Sequence, residues 1–157
     1  MTNLLRKFPS TRLRRTRYKA GLRSLVAEVS LTKDDLIQPI FIKEDIKGIE
    51  PIDSMPGVNR FGLDSVNQEV KSIVSVGIKA IAVFPVIDEE KKDSEGTEAI
   101  NKNNFISLAI KQIKEEFPEL IIIADVALDP YTDHGHDGIL NEKGDVDNDK
   151  SLIILKE

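Results

Sequence analysis

The chain has 157 residues, 40% hydrophobic and 31% charged, a composition that suits one globular domain and argues against a disordered tail. It contains no cysteine, which excludes disulfides, thiolate metal sites and a cysteine nucleophile. No apolar run approaches the roughly 18 residues of a membrane span, and no apolar segment follows the basic N-terminus as in a secretory signal, so a cytoplasmic protein is expected.

The net charge of −5 is unevenly spread. Residues 1–23 hold eight bases (Arg6, Lys7, Arg12, Arg14, Arg15, Arg17, Lys19, Arg23) and no acid. The other 134 residues carry 14 bases and all 27 acids, a balance of −13. Residues 1–17, broken by Pro9 and Ser10-Thr11, are expected to form an extended basic arm, with Arg12, Arg14 and Arg15 at its centre. Such an arm suits a nucleic acid, an anionic membrane or the acidic face of a neighbouring subunit. Phe8 and Tyr18 are the only aromatic residues in or beside it, too few for a stacking platform for nucleic acid.

Residues 18–157 read as alternating strands and helices. Leu22, Leu25, Val26 and Val29 predict an amphipathic helix over Ala20–Val29. Leu36–Ile42 is nearly all apolar, as expected of a parallel strand covered on both faces, and Pro39 within it suggests an edge or bulged strand. Ser54-Met-Pro-Gly57 is a turn. Asp64 is expected to cap a helix carrying Val66, Val70, Ile73 and Val74, which Gly77 ends. Ile78–Val86 is the second strand, and 88–98 is a polar loop. Phe105, Ile106, Ala109, Ile110 and Ile113 line one face of a helix over 103–117, stopped by Pro118. Leu120–Val126 is the third buried strand, and the clearest. Asn141–Gly144 makes a hairpin turn, and Asp149 caps a last helix over 151–157 whose Leu152–Leu155 have nothing after them to cover them. Strands separated by such helices make a parallel α/β sheet, here about three βα units.

Chemistry in such sheets collects at the C-terminal ends of the strands. The richest end is Asp125–Gly138, which gathers Asp125, Asp129, Asp133, His134, His136 and Asp137 behind the third strand. Carboxylates and imidazoles in this density can hold Mg²⁺ or Zn²⁺ or move protons near neutral pH. No glycine-rich phosphate loop and no serine nucleophile elbow occurs. Lys43, at the end of the first strand, is placed for a Schiff base, but its neighbours Glu44 and Asp45 favour its protonated form. Lys79 lies at the opposite end of its strand, away from any expected chemistry.

The order Arg12–Arg15, Asp35–Phe41, Ser54–Val58, Phe84-Pro-Val86 and Asp125–Gly138 resembles the porphobilinogen synthase (5-aminolevulinate dehydratase) family. The resemblance runs from about residue 8 to the end. It implies the first three strands of a (β/α)₈ barrel behind an N-terminal arm. It also implies an enzyme, a hydro-lyase, that condenses two 5-aminolevulinate molecules to porphobilinogen in tetrapyrrole (haem) biosynthesis. Homo-oligomers, octamers above all, in which the arm embraces the next subunit, are implied as well. Zinc-type members carry cysteines where Ala127, Asp129 and Asp137 stand here, so the aspartate-rich, magnesium-type branch is implied, with Asp129 and Asp137 as metal-loop positions and no zinc. Asp125 matches an aspartate of the substrate pocket. A (β/α)₈ barrel takes about 250 residues, and the family's two Schiff-base lysines lie on strands beyond Glu157. This chain is therefore expected to be the N-terminal part of such an enzyme and inactive alone. The alternative it leaves is a non-catalytic piece that joins an assembly through its arm.

Overall fold

The computed structural model describes Lys7, Pro9, Thr11 and residues 14–157. These fall into two compact units, one ending at Thr32 and one spanning Lys33–Glu157. Arg12 lies outside the described residues.

In the first unit, Arg14 precedes a single 3₁₀ turn, Arg15–Arg17, so this end of the basic segment is not extended. Helix α1 covers Ala20–Leu25 only, with Arg23 Nη1 donating to the Arg17 carbonyl at 3.0 Å. The expected helix to Val29 stops a turn early. Its apolar spacing has no buried counterpart: every residue of α1 is exposed, and Leu25 and Val29 are more than 80% so. Periodicity without a surface to pack on does not sustain a helix this short.

The second unit is a five-stranded sheet with helices on one face. The strands are β1 (Gln38–Lys43), β2 (Ile49–Pro51), β3 (Asn59–Phe61), β4 (Ala80–Val86) and β5 (Ile121–Ala124), in the order β2-β3-β1-β4-β5. All neighbours are parallel except β2 with β3. Helix α2 is Val66–Ser75, α3 is Phe105–Glu116 and α4 is Asn148–Lys156. β1 is thus central, not an edge. Pro39 is tolerated because β3 pairs with β1 only at Phe41 and Ile42, so the chain at Pro39 has a neighbour on the β4 side alone.

Alternation divides each strand between two faces. Ile40, Ile42, Ile81 and Val83 point to the helices and are buried with Val66, Val70 and Ile73 of α2 and Phe105, Ala109 and Ile113 of α3. Each such side chain contributes about 1.5–3 kcal/mol on burial. Gln112 ties the two helices, donating to the Leu63 carbonyl at 2.8 Å and to Asn67 at 3.1 Å. The other face is open. Phe41, Ala82 and Phe84 are only half-buried, and Ile121 and Ile123 are exposed. The expectation of strands covered on both faces therefore holds for one face. β5, expected to be a buried strand, lies at one edge of the sheet, because no described residue pairs with its far side.

The termini of the helices are set by local hydrogen bonds. Gly77, at φ +89°, ends α2: its amide reaches the Val74 carbonyl and the Ile78 amide reaches Ile73, a Schellman pair that requires the left-handed residue. Asp64 does not cap α2. Both its carboxylate oxygens accept from the Gly48 amide, at 2.9 and 3.1 Å, and Ser65 takes the cap position. Gly62 beside it must be glycine, since a Cβ there would collide with the Ile46 carbonyl. Asn104 caps α3, accepting from the Ile106 amide at 2.9 Å. The cap of α4 is Asp147, which accepts from the Lys150 amide, rather than Asp149, which lies inside the helix. The hairpin turn at Asn141–Gly144 forms as the sequence indicates, with Leu140 bridged to Val146.

Candidate active site

The C-terminal ends of β1, β4 and β5 and the side of β3 enclose an open cleft of about 560 Å³. Phe41 and Phe84 form its floor, with ring centroids 5.7 Å apart. Arg60, Lys92, Asp125 and Asp129 supply its polar groups. Asp125 is the first residue after β5 and is exposed, so the strand delivers its carboxylate to the cleft mouth.

The acid beside Lys43 is neither Glu44 nor Asp45. Lys43 donates to Glu50 of β2 at 3.2 Å, and Arg60 of β3 donates to the other Glu50 oxygen at 2.8 Å. Glu44 instead pairs with Lys91, and Asp45 hydrogen-bonds Asp88, whose carboxyl is pushed up by that contact and by burial. The hydrogen bond from Lys43, followed by its charge and that of Arg60, holds Glu50 below the ordinary carboxylate value against the opposing effect of burial. A Schiff-base lysine must be a free neutral amine. Lys43 is committed to an ion pair, which uses its ammonium form. Lys79 is likewise paired, with Asp34 at 2.6 Å.

The aspartate-rich loop is held from inside and from the 88–98 loop. The Leu128 amide donates to Asp137 Oδ1 at 2.7 Å, and the buried Thr132 hydroxyl donates to the His136 carbonyl at 2.9 Å. The Asp133 amide donates to the Asp93 carbonyl, and the Asp93 amide to the Tyr131 carbonyl, at 3.0 and 3.3 Å. Asp93 Oδ1 accepts from the amides of Glu95 and Thr97, and the Thr97 side chain and amide keep Asp93 below its ordinary range. The histidines serve the same frame. His134 Nδ1 accepts from the His136 amide at 3.2 Å, which leaves its Nε2–H facing the Ser94 carbonyl at 3.4 Å. His136 Nδ1 meets the His134 carbonyl at 3.1 Å, and the two rings lie 5.3 Å apart.

The loop therefore brings Asp125 and Asp129 to the cleft and ties one oxygen of the exposed Asp137 to the Leu128 amide. Burial first, then the charges of Asp137 and Asp125, raise the Asp129 carboxyl above its ordinary value, so the three carboxylates are electrostatic neighbours. Among the described residues no three His, Asp or Glu side chains converge as metal ligands. Arg60, Lys92 and Glu50 were not singled out from the sequence. Each reaches the cleft or its rim through a strand or turn that chain spacing does not reveal.

Known proteins place this arrangement. The family model described as delta-aminolevulinic acid dehydratase matches residues 10–157. The chain belongs to that family. It is 45% identical over 151 residues to the delta-aminolevulinic acid dehydratase of Methanothermus sociabilis, covering 96% of this chain and 46% of that one. Its identity to the Chlamydia pneumoniae dehydratase is 43%, over 93% and 44%. It superposes with a TM-score of 0.85 and 39% identity on the Toxoplasma gondii delta-aminolevulinic acid dehydratase (porphobilinogen synthase), solved in complex with the reaction product porphobilinogen, over 92% of this chain and 41% of that one. The chain spans about half the length of the curated relatives it matches, their N-terminal part. Its sheet is accordingly the first portion of a (β/α)₈ barrel, which explains both the open face and the outermost β5.

Proposed function

We propose that the chain supplies the N-terminal part of a porphobilinogen synthase, in which the cleft above Phe41 and Phe84 takes 5-aminolevulinate. One observation carries this: Asp125, at the end of β5, faces the same cleft as Arg60 and Lys92, on the side of the sheet that a barrel turns inward. 5-Aminolevulinate carries a carboxylate and an amine, and the cleft offers cations and carboxylates within one volume. On this reading the Schiff-base lysines lie outside these 157 residues, which the ion pairs of Lys43 and Lys79 support. This chain's own contribution is to bind and orient substrate.

The donor atoms of Asp125, Asp129 and Asp137 are hard oxygens, one of them already taken by the Leu128 amide, while His134 Nδ1 and Nε2 and His136 Nδ1 are turned to the backbone. That set does not fit zinc, which favours sulfur and nitrogen in a closed tetrahedron. It fits a Mg²⁺ ion that keeps most of its waters and meets Asp129 and Asp137. Such an ion would supply positive charge where three carboxylates crowd, and Asp129 would then be held ionised. We infer further that the arm, with Arg14, Arg15 and Arg17 exposed, serves contact between subunits whose bodies are acidic.

The test is to assay porphobilinogen formation with this chain co-expressed with the remaining half of a relative. Asp125→Asn, with the fold checked by circular dichroism, is expected to lower kcat/KM about 100-fold through lost orientation. Full activity in that variant would contradict the assignment.

A further inference from the structure

We infer that Asp93 is the positioning residue of the candidate site: through the turn that its carboxylate holds, it fixes where Asp129 and Lys92 stand in the cleft. The inference rests on the magnesium reading of the aspartate loop and adds to it a residue that does not itself line the cleft.

Three observations carry it. First, Asp93 joins the two loops by its backbone. Its amide donates to the Tyr131 carbonyl at 3.3 Å and its carbonyl accepts from the Asp133 amide at 3.0 Å, so Asp93 stands in parallel register with Thr132. Second, its carboxylate shapes the turn that seats this register. Oδ1 accepts from the amides of Glu95 and Thr97, both at 3.0 Å, and folds 93–97 back on itself. The turn includes Gly96, buried at φ +63°, a conformation that glycine adopts without strain. A Cβ at Gly96 would stand 3.6–3.7 Å from Leu128, Thr132 and Tyr131, so the backbone of the turn lies directly on the aspartate loop. Third, the residues that Asp93 holds in place are cleft residues. Lys92 precedes it in the chain and lines the cleft with Asp129. Asp129 lies in a turn closed by the Leu128 carbonyl, which accepts from the Tyr131 and Thr132 amides at 2.9 and 3.0 Å. Asp137 fixes the Leu128 amide on one side of Asp129, and Asp93 fixes residues 131 and 133 on the other. Removing the Asp93 carboxylate frees two amides and opens the 93–97 turn, which displaces Lys92 and Asp129 while the sheet keeps its core. Asparagine at this position keeps an acceptor oxygen and hence the turn.

The experiment uses the 157-residue chain with Mn²⁺ as the probe, read by paramagnetic broadening of assigned amide signals. The wild-type chain is expected to show broadening centred on Asp129 and Asp137. Asp93→Ala is expected to weaken this Mn²⁺ association about tenfold, and Asp93→Asn to keep it within about twofold of wild type. Thr97→Val removes one side-chain donor to Asp93 and is expected to weaken the association about twofold to threefold. Amide exchange at Ile81 and Val83 is expected to stay slow in all three variants, so that a lost fold is not read as a lost position. Should Asp93→Ala lose that slow exchange, Thr97→Val decides, and unchanged Mn²⁺ association there overturns the inference. Broadening that Asp93→Ala leaves unchanged, or that Asp93→Asn loses as fully as Asp93→Ala, overturns the inference and leaves the magnesium reading standing. No localised broadening in the wild-type chain overturns both.

Discussion

The two faces of the sheet are made of the same residue types and differ in what lies over them. On the helix side, Ile40, Ile42, Ile81 and Val83 meet α2 and α3 and are buried. On the other side, Phe41, Phe84, Ile121 and Ile123 line a cleft or stand exposed. Apolar character in a strand thus records the burial of the whole barrel, whereas stability in this chain comes from the half that is covered.

That contrast is most sharply broken by truncation. Ile81→Ala removes a fully buried side chain and is expected to cost about 2–5 kcal/mol in urea unfolding, while Ile123→Ala on the open face should change stability by less than about 0.5 kcal/mol. Equal costs would mean that the open face is packed as well. The loop above the cleft ranks next. Thr132→Val leaves the His136 carbonyl without its donor and is expected to cost about 1–2 kcal/mol, with faster exchange at Asp133 and His136. Unchanged exchange would show that Asp93 alone frames the loop.

Charge gives a smaller, pH-dependent effect. Glu50 is held below its ordinary value of 4.5, chiefly by Lys43. Its lowered folded value means that its contribution is present above pH 4.5 and lost as pH falls through that folded value. Glu50→Gln should therefore lower the plateau above pH 4.5 and flatten the acid limb, leaving stability at the acid end unchanged. An unchanged acid limb would remove Glu50 from the account. Smallest in energy, but visible in mass, is the arm. Deleting residues 1–17 from an assembled enzyme is expected to yield smaller particles on sedimentation while leaving the barrel folded.

Helices α2 and α3 were legible from their side-chain periodicity, whereas the same spacing over Leu22–Val29 gave only a short, exposed α1. Val66, Val70 and Ile73, and Phe105, Ala109 and Ile113, fall on the buried faces that their spacing indicated. Capping was less legible, because Asp64 and Ser65, or Asp147 and Asp149, are equally suited to the cap position until the neighbouring loop is placed. Gly48 decides the first case by claiming Asp64. β2 and β3, three residues each, carry too little pattern to be seen, and with them went Glu50 and Arg60. The aspartate loop stood out by composition alone. Its support by Asp93, some forty residues earlier, is a backbone matter and leaves no trace in side-chain chemistry.

The proposed function gives this chain the orienting of substrate and leaves the lysine chemistry to the part of the barrel that the relatives have beyond it. Borohydride reduction of the co-expressed complex in the presence of 5-aminolevulinate, followed by peptide mass mapping, tests it directly. The account predicts reduced adducts on lysines of the second polypeptide and none on Lys43, Lys79 or any other lysine of this chain. A stable adduct on Lys43, with product formed by this chain alone, would contradict it.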